Sequence, residues 1–111
     1  MAWTVEGSGT QTATISTEHS LHTNSGAKTF VFIVDTVNMV EGDVLELRVY
    51  LMVLSGGTRR VAYLATYAHG QDEPIKISLP VPSPGQTNGF EASLKQTAGT
   101  GRSFPWSVVS Q

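Results

Sequence analysis

The residue types that most suggest chemistry stand near the C-terminus, where residues 96–106 read QTAGTGRSFPW. Four of them are the types that close a phosphate-binding loop: Gly99, Gly101, Arg102 and Ser103. Such a loop needs GxxxxGK[ST] between a strand and a helix, because backbone amides and the lysine must surround the phosphates. Here Gln96 occupies the first glycine position, and Pro105 opposes a helix. The stretch therefore predicts a glycine hairpin, AGTG, between two strands and not a nucleotide site.

The second candidate chemistry is metal binding by histidine. The chain has 3 histidines, at His19, His22 and His69. Positions three apart in a strand point to opposite faces, so His19 and His22 would not converge on one ion. A zinc site would also need further ligands, and the chain has no cysteine. We expect solvent-exposed loop histidines and no metal.

Oxygen ligands for calcium are concentrated in DTVNMVEGD, residues 35–43. The candidates are Asp35, Asn38, Glu41 and Asp43. Their spacing differs from the alternating ligands of a D-x-D-x-D-G calcium loop. Asp and Asn also accept hydrogen bonds from backbone amides in turns, and this role is favoured here. A loose calcium loop is the alternative.

No pattern of a catalytic nucleophile occurs in the sequence. Cysteine is absent, and no GxSxG nucleophile elbow is present. Serine, histidine and aspartate all occur, but no spacing marks one serine as activated. We expect no enzymatic activity, no catalytic residue and no cofactor.

Aromatic side chains provide the last candidate site, a platform on which sugars or single-stranded nucleic acid stack. Those considered are Trp3, Tyr50, Tyr63, Tyr67 and Trp106. Most of them fall in apolar alternation, which favours the core. A carbohydrate-binding β-sandwich module is the alternative function that an exposed platform would indicate.

Composition and charge limit the partners. The 111 residues have a formal net charge of −2 and only 7 Lys and Arg, too few for a basic surface that binds nucleic acid or anionic lipid. Residues 1–10, MAWTVEGSGT, lack a basic segment followed by an apolar one, so we expect no signal peptide. No apolar run reaches the ~18 residues that span a bilayer. We therefore expect a chain made in a cytoplasm that contacts neither nucleic acid nor membrane.

The elements that must position these residues are predicted to be strands, because Val, Thr, Gly and Pro are frequent and no helical pattern occurs. Residues 7–12 are expected to be a flexible lead-in. Alternation and turn signals place strands near residues 12–18, 30–34, 44–54, 59–68, 75–79, 89–96 and 103–109, with PVPSPG at 80–85 as an edge or crossover. We predict an all-β fold: one antiparallel β-sandwich domain over 1–111, jelly-roll-like, of about seven or eight strands, with 1–11 as an extended N-terminal arm.

Two strands should form the centre of this domain. Residues 30–34 are a continuous apolar run, typical of a strand that is buried on both faces or central in its sheet. Residues 44–54 alternate between an apolar face and a face that begins charged and ends apolar, and SGGT at 55–58 predicts a tight hairpin turn. The predicted core is Phe30, Phe32, Leu45, Leu47, Val49, Leu51, Tyr63 and Phe90.

Three stretches together resemble small β-rich virion proteins of tailed bacteriophages. They are VDTVNMVEGDVLELRVYLMVLSGGTRRVAYLATY at 34–67, KISLPVPS at 76–83 and ASLKQTAGTGRSFPW at 92–106. The resemblance implies a structural role, in particular that of a capsid decoration (cement) protein that lies on the outside of the shell. The alternative becomes a carbohydrate-binding module on a tail or adsorption structure.

The resemblance also implies a partner and a location. The partner would be the major capsid protein of the shell, and the protein would lie in the virion after synthesis in the host cytoplasm. We expect a homo-oligomer, with a trimer favoured, because virion sites are symmetric. Residues 1–10 are expected to reach a neighbouring subunit as an added strand.

Overall fold

A computed structural model describes residues 2–111, which form nine strands and no helix. The strands are β1 (Thr4–Thr12), β2 (Glu18–Asn24), β3 (Thr29–Asp35), β4 (Val44–Leu51), β5 (Arg60–Ala68), β6 (Ile75–Ile77), β7 (Val81–Pro82), β8 (Phe90–Ala98) and β9 (Ser103–Ser110). These residues include no helix long and apolar enough to cross a membrane.

Strands from the first half of the chain pair with strands from the second half, in reverse order. β1 pairs with β9, β2 with β8, β3 with β6 and β7, and β4 with β5, all antiparallel. Two further antiparallel pairs, β3 with β9 and β4 with β8, join these ribbons side by side. The result is sheet A, in the order β1-β9-β3-β6 with β7 also on β3, and sheet B, in the order β2-β8-β4-β5. The predicted all-β sandwich is therefore confirmed.

The core lies between the two sheets, where each strand contributes alternate side chains. The rings of Phe30 in β3 and Phe90 in β8 stack across it, with centroids 4.2 Å apart. Of the predicted core, Leu51 and Tyr63 are only partly buried but pack against it. The other six residues are buried: Phe30, Phe32, Leu45, Leu47, Val49 and Phe90.

The N-terminal part of the chain differs from the prediction. Residues 7–12 are not a flexible lead-in, because they belong to β1, which pairs with β9 of the same chain from Thr4 to Thr12. The expectation that this segment adds a strand to a neighbouring subunit is therefore wrong for the residues in β1. Residues 13–17 were predicted as a strand but connect β1 to β2, with Ser16 in the left-handed region at φ 66°.

The predicted long strand and the predicted C-terminal hairpin also need correction. β4 ends at Leu51, where the amide of Met52 donates to the carbonyl of Gly89. Val53 and Leu54 are 74% and 72% exposed, so the strand does not end under cover as expected. The AGTG stretch joins β8 in sheet B to β9 in sheet A, so it is a crossover between sheets and not a hairpin. β4 and β5 form the predicted antiparallel hairpin, but residues 52–59 connect them, and the turn is closed by the Gly57 amide on the Leu54 carbonyl, so the predicted tight turn at 55–58 is wrong.

Candidate functional site

One part of the outer face of sheet A is formed by apolar side chains. Residues that lie opposite each other on paired strands point to the same face of a sheet. Val109 of β9 lies opposite both Val5 of β1 and Val31 of β3, and Ile33 of β3 lies opposite Ile77 of β6. These two sets form two rows of side chains on the outer face. We call this surface the apolar face; its members are Trp3, Val5, Val31, Ile33, Ile75, Ile77 and Val109. Among the described strand residues that point outward from sheet A, Asp35 is the only charged one.

A shallow depression forms the centre of the apolar face. It has a volume of about 410 Å³ and is lined by Trp3, Val31, Ile33, Ile77 and Val109. Trp3 is 46% exposed, and Ile77 is 60% exposed. Uncharged apolar side chains gathered on one face, and not scattered singly, are typical of a surface that another protein covers.

The apolar face was not identified from the sequence, although its signal is present there. Residues 30–34 are apolar at every position, and this run was interpreted as a strand that is buried on both faces or central. The strand is central, between β9 and β6, but only Phe30, Phe32 and Val34 point into the core. Val31 and Ile33 point to the outer face of sheet A, where Val31 is 7% exposed and Ile33 is half-buried in the depression that Trp3 also lines.

The outer face of sheet B has the opposite character, because charged side chains cover it. Glu18 of β2 accepts hydrogen bonds from the Tyr50 hydroxyl and the Ser93 hydroxyl, both at 2.6 Å. Arg48 bridges Glu18 and Glu46, with N–O distances of 3.2 and 2.9 Å. The strand register brings these side chains together: Ser93 of β8 lies between Arg48 of β4 on one side and Ser20 of β2 on the other.

The protonation of this cluster follows from its contacts. Burial acts to raise the pKa of Glu18, but the hydrogen bonds from Ser93 and Tyr50 and the charge of Arg48 outweigh it, so the pKa is lowered. Burial and the bond to Glu18 raise the pKa of Tyr50. The carboxylate is thus held ionised and the phenol protonated, a stable ion pair network on the sheet surface.

The glycine-containing stretch near the C-terminus is held by a buried amide. Gln96 is fully buried, and its Nε2 donates to the carbonyls of Ala98 and Thr100 at 3.0 and 2.8 Å. Its Oε1 accepts from the Arg102 amide at 3.0 Å. The carbonyls of Ala98 and Thr100 and the amide of Arg102 are therefore used by the protein itself.

The carboxylates of residues 35–43 also hold turns. Asp43 is 1% exposed and accepts from the amides of Val40 and Thr100 and from Nε of Arg102. Asp35 accepts from the amide of Val37 at 3.0 Å. This is the turn role that was favoured over a calcium loop. In residues 2–111, no group of three or more acidic or histidine side chains is placed to hold a metal ion.

The histidines are in three different places. His69 accepts from the Gly42 amide at 3.0 Å, and Nε2 of His19 accepts from the Thr14 amide at 3.0 Å. His22 lies inside the edge of the sandwich, with its ring 6.5 Å from that of Phe90. Burial lowers the pKa of His22. The expectation of exposed loop histidines is therefore correct for His69 but wrong for His19 and His22, which lie in β2.

The aromatic side chains do not form one platform. Tyr63, Tyr67 and Trp106 pack against the core. Burial, together with a hydrogen bond that the Tyr63 hydroxyl donates to Tyr67, raises the pKa of Tyr63 to about 12. Tyr50 lies on the outer face of sheet B, and Trp3 lies on the apolar face of sheet A. The structure therefore separates the rings that a sugar platform would have to bring together.

Comparison of the chain with protein-family models, with curated proteins and with solved structures gives no match.

Proposed function

We propose that this protein is a structural virion protein of a tailed bacteriophage, a capsid decoration protein that docks on the shell through the apolar face. The observation behind this proposal is the contrast between the two outer surfaces. The outer face of sheet A carries the apolar face with a single charged side chain, Asp35, whereas the outer face of sheet B carries the ion pairs of Arg48 with Glu18 and Glu46. Contact with protein removes the apolar face from water, which is favourable in proportion to the area covered.

The identity of the shell as partner rests on the resemblance of residues 34–67, 76–83 and 92–106 to phage virion proteins. The strand order supports the jelly-roll arrangement that goes with it. A jelly roll is a long antiparallel ribbon wound into two sheets, and here β1 to β4 pair in turn with β9, β8, β7 and β5. The proposed role needs only such a scaffold and a contact surface.

The first test is whether the protein is part of the particle. Virions of the phage that encodes the chain would be purified on a density gradient and analysed by mass spectrometry for its peptides. Recovery in stoichiometric proportion to the major capsid protein is expected. Recovery only from the soluble lysate, with clean particles, would reject the virion role.

The second test locates the docking surface. Particles stripped of the protein would be incubated with purified wild type, Ile77→Asp or Val53→Asp, and binding would be measured by co-sedimentation. Ile77 lies on the apolar face and is 60% exposed; Val53 is also apolar, is 74% exposed and lies in the connection between β4 and β5. Ile77→Asp should abolish most binding, and Val53→Asp should retain it. Equal loss in both variants would contradict docking through the apolar face.

A further inference from the structure

A second depression adjoins the apolar one on the outer face of sheet A, and it differs because it contains a carboxylate. It has a volume of about 200 Å³ and is lined by Ile33, Asp35, Ile75, Pro105, Trp106 and Ser107. We call it the Asp35 depression, and we call the apolar one, which Ile33 also lines, the Trp3 depression. Because Ile33 belongs to both, a molecule that covers the apolar face at Ile33 lies next to Asp35.

The carboxylate of Asp35 has no cationic partner within residues 2–111. Its Oδ1 accepts from the Val37 amide at 3.0 Å, and it takes part in none of the ion pairs of this part of the chain. Lys76 of β6 lies opposite the buried Val34, and its Nζ is 4.8 Å from the centroid of the Tyr67 ring. Lys76 therefore points between the sheets and leaves the charge of Asp35 on the outer face uncompensated.

Two further acidic residues lie at the same end of the apolar face. Asp72 and Glu73 are exposed and precede β6, whose first residue lies opposite Asp35. The Pro74 carbonyl accepts from the amide and the hydroxyl of Thr36, at 2.9 and 2.6 Å, which holds this segment beside the end of β3. Neither acid takes part in an ion pair within residues 2–111. This end of the apolar face is therefore negatively charged.

A lysine or arginine side chain has the chemistry that the Asp35 depression requires. Its methylene stem packs against apolar walls while its charged end donates to a carboxylate. Ile33, Ile75 and Pro105 provide the walls, and the Ser107 hydroxyl provides a further acceptor. A neutral apolar partner would instead cover the Asp35 carboxylate without giving it a donor, which is costly. The depression therefore favours a basic partner over a purely apolar one.

We infer that the partner that docks on the apolar face inserts a lysine or arginine into the Asp35 depression, beside an apolar side chain that fills the Trp3 depression. The inference rests on the proposed docking through the apolar face and adds the chemistry of the partner. In an extended segment, side chains two positions apart lie on one side at about 6.6 Å, the same step that separates Ile33 from Asp35. An extended segment with an apolar and a basic residue in this spacing meets both depressions.

The first test uses the stripped particles and co-sedimentation. Asp35→Asn keeps an acceptor for the Val37 amide but removes the charge, so the dissociation constant should rise about tenfold. Glu41→Gln is the matched control, since it removes the same charge at an exposed residue that lines neither depression; it should stay within about twofold. If Ile77→Asp abolishes binding while Asp35→Asn and Glu41→Gln bind alike, docking through the apolar face stands and the basic partner is overturned.

The second test does not depend on the shell. The isotope-labelled full chain would be titrated, by NMR, with acetyl-Gly-Ser-Thr-Leu-Thr-Lys-Thr-Ser-Gly-amide and with the same peptide carrying Glu in place of Lys. The lysine peptide should shift the amide resonances of Ile33, Asp35 and Ile77 and bind at least about threefold more tightly, and Asp35→Asn should remove this difference.

The two tests separate the inference from the proposed function. Selective binding of the lysine peptide by a protein that does not bind stripped particles would reject the shell as partner and support a basic, apolar partner. No shift at Ile33, Asp35 and Ile77, or equal binding of the two peptides, would overturn the inference.

Discussion

Arg102 donates from Nε to Oδ2 of Asp43 at 2.9 Å, and this bond joins residues 59 positions apart in the chain. Asp43 ends the loop that precedes β4 in sheet B, and Arg102 precedes β9 in sheet A. The side chain of Asp43 is 1% exposed, whereas that of Arg102 is 29% exposed. The pair therefore ties the two sheets together at one end of the sandwich.

Removal of this ion pair should destabilise the fold. Arg102→Ala leaves a buried carboxylate with only two amide donors, and we expect the free energy of unfolding to fall by about 1–3 kcal/mol. The partial exposure of Arg102 keeps the loss below that of a fully buried pair. Urea unfolding measures it, with Glu41→Ala in the same loop as a control that should stay within about 0.5 kcal/mol. Equal midpoints for the two variants would show that the pair contributes nothing.

Gly99 is expected to be intolerant of any side chain. Its φ is +90°, and a Cβ built there would overlap the Asp43 carboxylate. Gly99→Ala should therefore cost about 3 kcal/mol or more, since left-handed strain and displacement of Asp43 add. Gly56→Ala is the matched control: its φ is +73°, but a Cβ there meets nothing within 4 Å. Its cost should be about 1 kcal/mol. The difference between the two thermal midpoints measures the overlap alone.

The buried amide of Gln96 should not tolerate a carboxylate of the same shape. Gln96→Glu loses both N–H donors to Ala98 and Thr100 and places an ionised oxygen against their carbonyls. We expect a loss of about 3 kcal/mol or more at neutral pH, because a buried charge with the Arg102 amide as its single donor is costly. Gln86→Glu, whose side chain has no hydrogen bond in the described structure, should unfold near wild type. A stable Gln96→Glu protein would contradict this account of the loop.

Acid should destabilise the protein through three carboxyl groups. Hydrogen bonds, mainly one from Ser110, lower the pKa of Glu6 from its ordinary value of 4.5. Burial alone would raise the pKa values of Glu18 and Asp43, but their hydrogen bonds and nearby positive charges outweigh it. The pKa of Glu18 is therefore lowered from 4.5 and that of Asp43 from 3.8. A lowered pKa means that the unfolded state binds more protons in acid, so stability is full above the ordinary values and is lost as the pH falls through the lowered ones.

Urea unfolding between about pH 6 and pH 3 measures this loss. Glu18→Gln cannot take up a proton at that position, so its stability should fall less steeply than that of wild type over the same range. Identical slopes for the two proteins would show that the contacts of Ser93 and Tyr50 with Glu18 do not affect its titration.

Much of the fold could be predicted because alternation directly encodes which side chains share a face. Leu45, Leu47 and Val49 alternate with Glu46 and Arg48, and this pattern alone identified both the strand and its buried face. The paired glycines indicated that β4 and β5 form a hairpin, but not that its connection runs from residue 52 to residue 59. β1 was missed because its Gly, Ser and Thr residues give no apolar alternation, and it is held by backbone bonds to β9.

The sequence by itself determined an all-β chain, the buried phenylalanines Phe30, Phe32 and Phe90 and the hairpin of β4 with β5, since these depend on local periodicity, whereas the buried Phe104 was not in the predicted core. Only the tertiary structure decided which strands lie side by side, and therefore which apolar residues face outward. Phe32 and Ile33 are apolar neighbours in one strand, yet Phe32 packs in the core and Ile33 lines the depression on the outer face of sheet A. Likewise, Asp43, Gln96 and Arg102 are far apart in sequence, and long-range pairing alone brings them together. Periodicity describes one strand at a time, whereas burial and polar contacts depend on the strands that pack against it.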